Sequence, residues 1–244
     1  MAQYGPPRKV TTLGKGEGIP PRERILAVAT DLFNRHGIRA VGVESIADVA
    51  GTNKMTLYRH FASKDELVVE YLRRLADKAS SSWNKLAGQH LGDPRGQLRA
   101  WLEDMADHVE SGDERGCPLA NAAVELAEKD HPARRVIEAF KNTQRDRIIA
   151  LCAAAGLAEP ELLGDELFLL LEGLHVTAQS MGHAGLGDRL IRMGEILRRR
   201  YPSAFFIRSG VNGVWRIRTP VSCITALEIA GATSGVAIWP TPVG

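Results

Sequence analysis

One stretch of this 244-residue chain concentrates groups able to grip a polyanion: VGVESIADVAGTNKMTLYRHFASKDEL, residues 41–67. Within it Lys54, Thr56, Tyr58, Arg59, His60 and Lys64 are hydrogen-bond donors or cations. Cations and hydroxyls bind phosphate oxygens without regard to sequence, whereas residues at the start of a helix seated in a groove reach base edges. A second set mixes apolar bulk with a few polar groups on inner helices, as a small-molecule pocket requires: Trp101, Met105, Asn121, Phe140, His175 and Gln179. Each of these six reads equally well as core packing. Cys117 falls at a helix start, where a thiolate is favoured, so a redox role stands beside the plainer reading of an inert cysteine. Enzyme signatures are missing. There is no H-E-x-x-H and no G-x-x-x-x-G-K-[ST], and GKGEG at Gly14 to Gly18 follows no strand. His131, His175 and His183 lack metal-ligand partners at helical spacing, so neither a metal, a cofactor nor a catalytic residue is expected.

Helices carry these residues. Ile25, Val28, Ala29, Leu32, Phe33 and His36 recur on one face of a 3.6-residue period, opened by Pro20-Pro21 and stopped by Gly37. A short helix, VESIADVA, ends at Gly51, and a second, KMTLYRHF, follows. The small Ala47 and the Gly51 turn let these two helices meet, with Ile46, Ala47, Val49 and Leu57 between them. This is the helix-turn-helix arrangement, which places its second helix in a DNA major groove. Ser63 and Glu66 form a capping box that opens a long helix. Further helices are expected from Asp93-Pro94 to Gly112, from Gly116-Cys117-Pro118 to about Lys129, and from His131-Pro132 to Gly156. Two more run from Glu159-Pro160 to Gly182 and from Asp188, read as the cap, to Arg200.

Charge is distributed unevenly around a net of +2. Met1 to Lys64 holds ten Lys and Arg against five Asp and Glu, while the remainder holds 21 against 24. A basic N-terminal portion on a mildly acidic body suits an anionic partner for that end. Cys117, Cys152 and Cys223 are an odd, scattered set without C-x-x-C, which points to a reducing cytoplasm. The start has no apolar h-region, and no apolar run is long enough to span a membrane. Residues 1–19 read as a flexible basic arm. Residues 203–244 change composition: WRI, ITALEIA and VAIW fit short strands or a poorly ordered tail, either a dispensable extension or a hairpin packed on the helices.

From Arg22 to about Leu72 the sequence resembles the DNA-binding domain of TetR-type repressors. The resemblance is carried by Ile25, Ala29, Phe33 and Gly37, by Ile46-Ala47 and Ala50-Gly51, and by Thr56-Leu57-Tyr58-Arg59-His60-Phe61 with Ser63-Lys64-Asp65-Glu66-Leu67. It departs at Val43, where a capping Thr is common, leaving Ser45 or water to serve, and at Thr52, where Val is common. The resemblance implies an all-α protein with an N-terminal three-helix DNA-binding domain (20–80, helix-turn-helix about 42–61). A helical ligand-binding and dimerisation domain (81–202) and an irregular C-terminal tail would follow. It implies a homodimeric repressor, released from palindromic double-stranded operator DNA by a small-molecule effector. It implies phosphate contacts by Thr56, Tyr58 and Lys64, with Lys54 and Met55 against bases and His60 nearby. The last two helices would dimerise through Leu167, Leu170, Leu171, Leu174, Leu190, Met193 and Leu197, with Gly194 allowing a close crossing. The rival function classes are an all-helical enzyme or carrier and a pure interaction adaptor.

Overall fold

The computed structural model describes residues 18–111, 116–202, 205–209 and 214–218. Among them four helices form a head: α1 (Pro21–His36), α2 (Val43–Val49), α3 (Lys54–His60) and the long α4 (Lys64–Gln89). Five form a body: α5 (Pro94–Ser111), α6 (Pro118–Glu125), α7 (Pro132–Ala154), α8 (Pro160–Met181) and α9 (Leu186–Arg200). Proline opens α1, α6, α7 and α8 at a position whose N–H has no intrahelical partner to lose. The fold class that the resemblance implies, all-α with an N-terminal helix-turn-helix, is the one observed.

Local departures have local causes. Helix α6 stops at Glu125 rather than near Lys129: Leu126 leaves helical backbone (φ −96°, ψ 77°) while its N–H still donates to Ala122 O. Helix α9 starts at Leu186, entered through the left-handed Gly185; Asp188 is therefore not the cap but lies in the first turn, where its charge still suits the helix dipole. Helix α2 is entered at Gly42 with no side-chain cap. Val43 is its first residue and packs into the core, so Ser45 does not take over a capping role. The Ser63–Glu66 box forms with a shift: Ser63 Oγ accepts from the Glu66 N–H (3.0 Å), and Glu66 Oε2 accepts from Ala62 N–H (2.6 Å) instead of Ser63. The stop expected at Gly112 and the arm over residues 1–17 lie outside the described residues.

Two hydrophobic clusters hold the molecule. The first joins Ile25, Phe33, Ile46, Leu57, Phe61, Leu67 and Leu72 of the head to Leu119, Ala122, Leu126, Ala133 and Ile137 of α6 and α7. The head therefore shares its core with the body through α6 and α7. The second lies within the body, where α5 packs along α9 and α7 along α8.

That second core takes up most of the residues expected at the dimer face. Leu167, Leu171, Leu174 and Leu190 are buried inside their own subunit, and Leu170 and Leu197 pack half-buried against them. Gly194 does allow a close crossing, but with α5: a Cβ there would sit 2.8 Å from Leu102 Cδ1. Of the seven residues, Met193 alone is exposed. On α8 and α9 a different set of apolar side chains is left open, among them Leu162, Leu169 and Val176 at seven-residue spacing on α8, with Met193 and Ile196 on α9.

Beyond Pro202, β1 (Phe205–Ser209) and β2 (Val214–Arg218) pair antiparallel, with Phe205 opposite Arg218 and Ser209 opposite Val214. WRI, one of the three stretches read as possible strands, lies in β2; ITALEIA and VAIW lie outside the described residues. Other tail residues lie outside the described set.

Candidate nucleic-acid interface

The turn between α2 and α3 is built from backbone. Gly51 adopts φ 63°, in the left-handed region that glycine occupies without penalty, and the Thr52 N–H donates to Ala47 O (2.9 Å). Ile46, Ala47 and Ala50 are buried beneath the turn. Arg24 of α1 reaches across and donates through Nε to Ala50 O (3.3 Å), fastening the end of α2. Asn53 then caps α3, its side-chain oxygen accepting from Thr56 N–H (2.8 Å). Sequence reasoning passed over Asn53, although an Asn directly before Lys54 is an N-cap signal.

Helix α3 has seven residues, of which one, Leu57, is fully buried. Everything else on it faces outward or sits at its flanks. Met55 is 69% exposed, Tyr58 39%, and Lys54 and Arg59 are open to solvent, with Thr56 and His60 half-buried. Phe61, just after the helix, is core and lies under the Arg22 guanidinium at 5.0 Å.

The cations are not equivalent. Lys54 Nζ pairs with Glu44 Oε1 at 2.6 Å. This hydrogen bond raises the Lys54 pKa and lowers that of Glu44. Lys64, half-buried at the start of α4, donates to the Ile38 carbonyl at 2.6 Å, and burial lowers its pKa. Its ammonium is thus held in place with two N–H groups to spare. Arg59 has no ion-pair partner among the described residues. A short protruding helix with such a face has the dimensions and donors to enter a major groove.

Behind this face lies a cavity of about 140 Å³ between head and body. Of the six pocket residues expected from sequence, Asn121 and His175 line it, and Gln179 Nε2 donates to Asn121 Oδ1 (2.9 Å). The other three are elsewhere. Trp101 is core, edge-on to Trp83 with ring centroids 6.2 Å apart; Met105 packs on the body core, and Phe140 on the core shared with the head. Their polar or flexible character gave no hint that neighbouring helices would cover them. The cavity is completed by residues not foreseen: Phe33, Asn34 and Tyr71 from the head, His108 and His183 from the body. Burial, reinforced by the Lys141 charge, pushes the His175 pKa down to about 4, so its ring is neutral near pH 7. Cys117, at the start of α6, has its sulfur 3.6 Å from Lys141 Nζ, which also pairs with Glu172. Cys152 is buried, and its thiol pKa is pushed up to about 11.

Residues 25–71 match the family model described as bacterial regulatory proteins, tetR family. This segment is that of a TetR-family DNA-binding domain. All seven candidate DNA-contact residues lie inside the matched segment, whereas the body's share of the cavity lies beyond it. Among solved structures, the chain is similar to a TetR-family transcriptional regulator from Streptomyces coelicolor (28% identity, TM-score 0.70, covering 74% of this chain and 95% of that one). It is 37% identical over 99 residues to the HTH-type transcriptional activator FasR of Mycolicibacterium smegmatis, covering 39% of this chain and 45% of FasR. Over 106 residues it is 37% identical to the HTH-type transcriptional repressor KstR2 of Rhodococcus jostii, covering 43% of this chain and 50% of KstR2. The chain spans about half the length of these curated relatives. No helix among the described residues is long and apolar enough to cross a membrane.

Proposed function

We propose that this chain is a sequence-specific, DNA-binding transcriptional regulator, a repressor released from a palindromic operator by a small molecule. The observation that carries the reading is α3, anchored by Leu57 and presenting Lys54, Met55, Tyr58 and Arg59 outward behind an Asn53 cap. In the proposed complex Lys54 exchanges Glu44 for a base edge, with Met55 beside it and His60 nearby. Thr56, Tyr58, Arg59 and Lys64 grip phosphates. The names of FasR, an activator, and KstR2, a repressor, support transcriptional control as the common theme.

The operator partner implies two-fold symmetry, because a symmetric dimer reads two half-sites about one helical turn, ~34–36 Å, apart. The open apolar stripe of Leu162, Leu169 and Val176 with Met193 and Ile196 supports dimerisation through the outer face of α8 and α9. Selection of bound sequences from a random duplex pool tests the reading. A pseudo-palindrome should emerge, and Lys54→Ala should relax its base preference while Tyr58→Phe weakens binding to all sequences alike. Failure to enrich any sequence at moderate salt would refute it.

A further inference from the structure

The first residue of α3 is tied to an acid. Lys54 Nζ lies 2.6 Å from Glu44 Oε1, across the turn between α2 and α3. Both side chains are more than half exposed, at 53% and 63%. An exposed ion pair of this kind contributes little to stability, so folding does not account for a carboxylate on this face. General attraction to DNA does not account for it either, because an acid beside phosphates is repelled. Other carboxylates near the face are engaged away from α3: Asp65 pairs with His131 at 3.4 Å, and Glu66 accepts from Ala62 N–H. Among the described residues, Glu44 is the one carboxylate in an ion pair with a residue of α3. The pair sets a donor and an acceptor side by side. An ammonium offers three N–H donors, and a carboxylate only accepts. A G·C pair shows the complementary pattern in the major groove: guanine N7 and O6 accept, and the neighbouring N4 amino group of cytosine donates. Guanine O6 and cytosine N4 stand one hydrogen bond apart within the base pair, as Lys54 Nζ and Glu44 Oε1 do across the turn. An A·T pair also has an acceptor beside a donor, but thymine gives a cation one acceptor, next to an apolar methyl, where guanine gives two.

We propose that Glu44 is a specificity-determining residue: with Lys54 it reads one G·C pair in each half-site, Lys54 on guanine and Glu44 on the cytosine amino group. The inference rests on the proposed DNA contacts of α3 and names the base pair read there. When Lys54 leaves Glu44 for guanine, the carboxylate stays behind in a groove from which water is displaced, and an unpaired charge is costly in such a place. The cytosine N4–H relieves it. The same base pair turned round sets the guanine acceptors against the carboxylate, and a non-operator sequence offers it no placed donor, so Glu44 rejects both. Lys54 supplies attraction that any stretch of DNA can use, whereas Glu44 makes that attraction conditional on one base pair. Glu44 thus weakens binding to DNA at large and sharpens the choice of operator.

The test selects duplexes from a random pool with the native full-length chain and with Lys54→Ala, Glu44→Ala and Glu44→Gln. The duplex selected by the native protein and a scrambled duplex are then titrated with each protein by fluorescence anisotropy. The native protein should select G·C at the position whose preference Lys54→Ala relaxes. Glu44→Ala should relax that same position, lowering discrimination there by about tenfold, and should bind the scrambled duplex more tightly than the native protein does. Glu44→Gln keeps the length and an acceptor but not the charge. It should retain the G·C preference and still bind the scrambled duplex more tightly, which separates the base contact from the repulsion. Thermal melts of both Glu44 variants should match the native protein, as expected for an exposed pair. An A·T pair at the Lys54 position, an unaltered preference in Glu44→Ala, or equal weakening of both duplexes by that variant would each overturn the inference. Enrichment of no sequence by the native protein would refute the DNA-binding reading itself. A selected operator whose Lys54 position ignores Glu44 would leave that reading standing and remove this one.

Discussion

Two leucines two residues apart on α8 separate folding from assembly. Leu171 is 0% exposed inside its own subunit, whereas Leu169 is 67% exposed on the outer stripe. Fully burying a leucine side chain contributes ~1.5–3 kcal/mol, so covering the open two-thirds of Leu169 contributes about 1–2 kcal/mol per subunit. Two-fold symmetry doubles this to about 2–4 kcal/mol per dimer, a factor of roughly 30 to 1,000 in the dissociation constant. Leu169→Glu forfeits that and brings a carboxylate to the interface, so the shift should be at least at the upper end. The subunit itself should melt almost as before. Leu171→Glu has a different fate. It removes a packed core side chain, where Leu→Ala alone costs ~2–5 kcal/mol, and buries a charge with no partner. The sum approaches the ~5–15 kcal/mol that holds a typical domain together, so this variant should unfold rather than dissociate. Sedimentation equilibrium over a wide concentration range, beside circular-dichroism melts, distinguishes the cases. A Leu169→Glu protein with native dimer affinity would place the interface elsewhere. A folded, monomeric Leu171→Glu protein would refute the assignment of that leucine to the subunit core.

Three further outcomes are expected. His175 is neutral in the folded state, with a pKa near 4 against an ordinary 6.5; protons therefore favour the unfolded chain, and stability, full above about pH 6.5, should fall by about 3 kcal/mol as pH drops towards 4. Urea titrations across this range should show the loss in the native protein, and the difference from His175→Phe isolates it; identical slopes would refute a buried neutral ring. Lys64→Ala should lower the melting temperature by a few degrees, through the lost Ile38 bond, and also flatten the log–log salt dependence of operator binding by about one unit. Loss of either effect alone would remove one of the two roles given to this lysine. Maleimide applied to the native protein should modify half-buried Cys117 while buried Cys152 reacts only after unfolding, as peptide mass spectrometry would reveal; early labelling of Cys152 would contradict its position in the core.

Whatever acts over one or two helical turns is legible in the order of residues alone. The apolar period, prolines at first helical positions, the Gly51 turn and the Ser63 cap are local devices, and they placed α1 to α4 and the exposed residues of α3. Asn53 belongs with them, legible but overlooked. Packing between helices selects which apolar face each body helix turns inward. Helix α8 carries Leu162, Leu163, Leu167, Leu169, Leu170, Leu171, Leu174 and Val176, apolar almost all round. No periodicity can choose between core and surface on such a helix. The docking of α5, α7 and α9 buries Leu163, Leu167, Leu171 and Leu174 and leaves Leu162, Leu169 and Val176 open. The same holds for the cavity, whose residues from Phe33 to His183 come from helices distant along the chain. Helix caps and periods are set by neighbours a few residues away, whereas burial depends on which helices meet, and only the packed chain brings Phe33, Asn121 and His175 around one space.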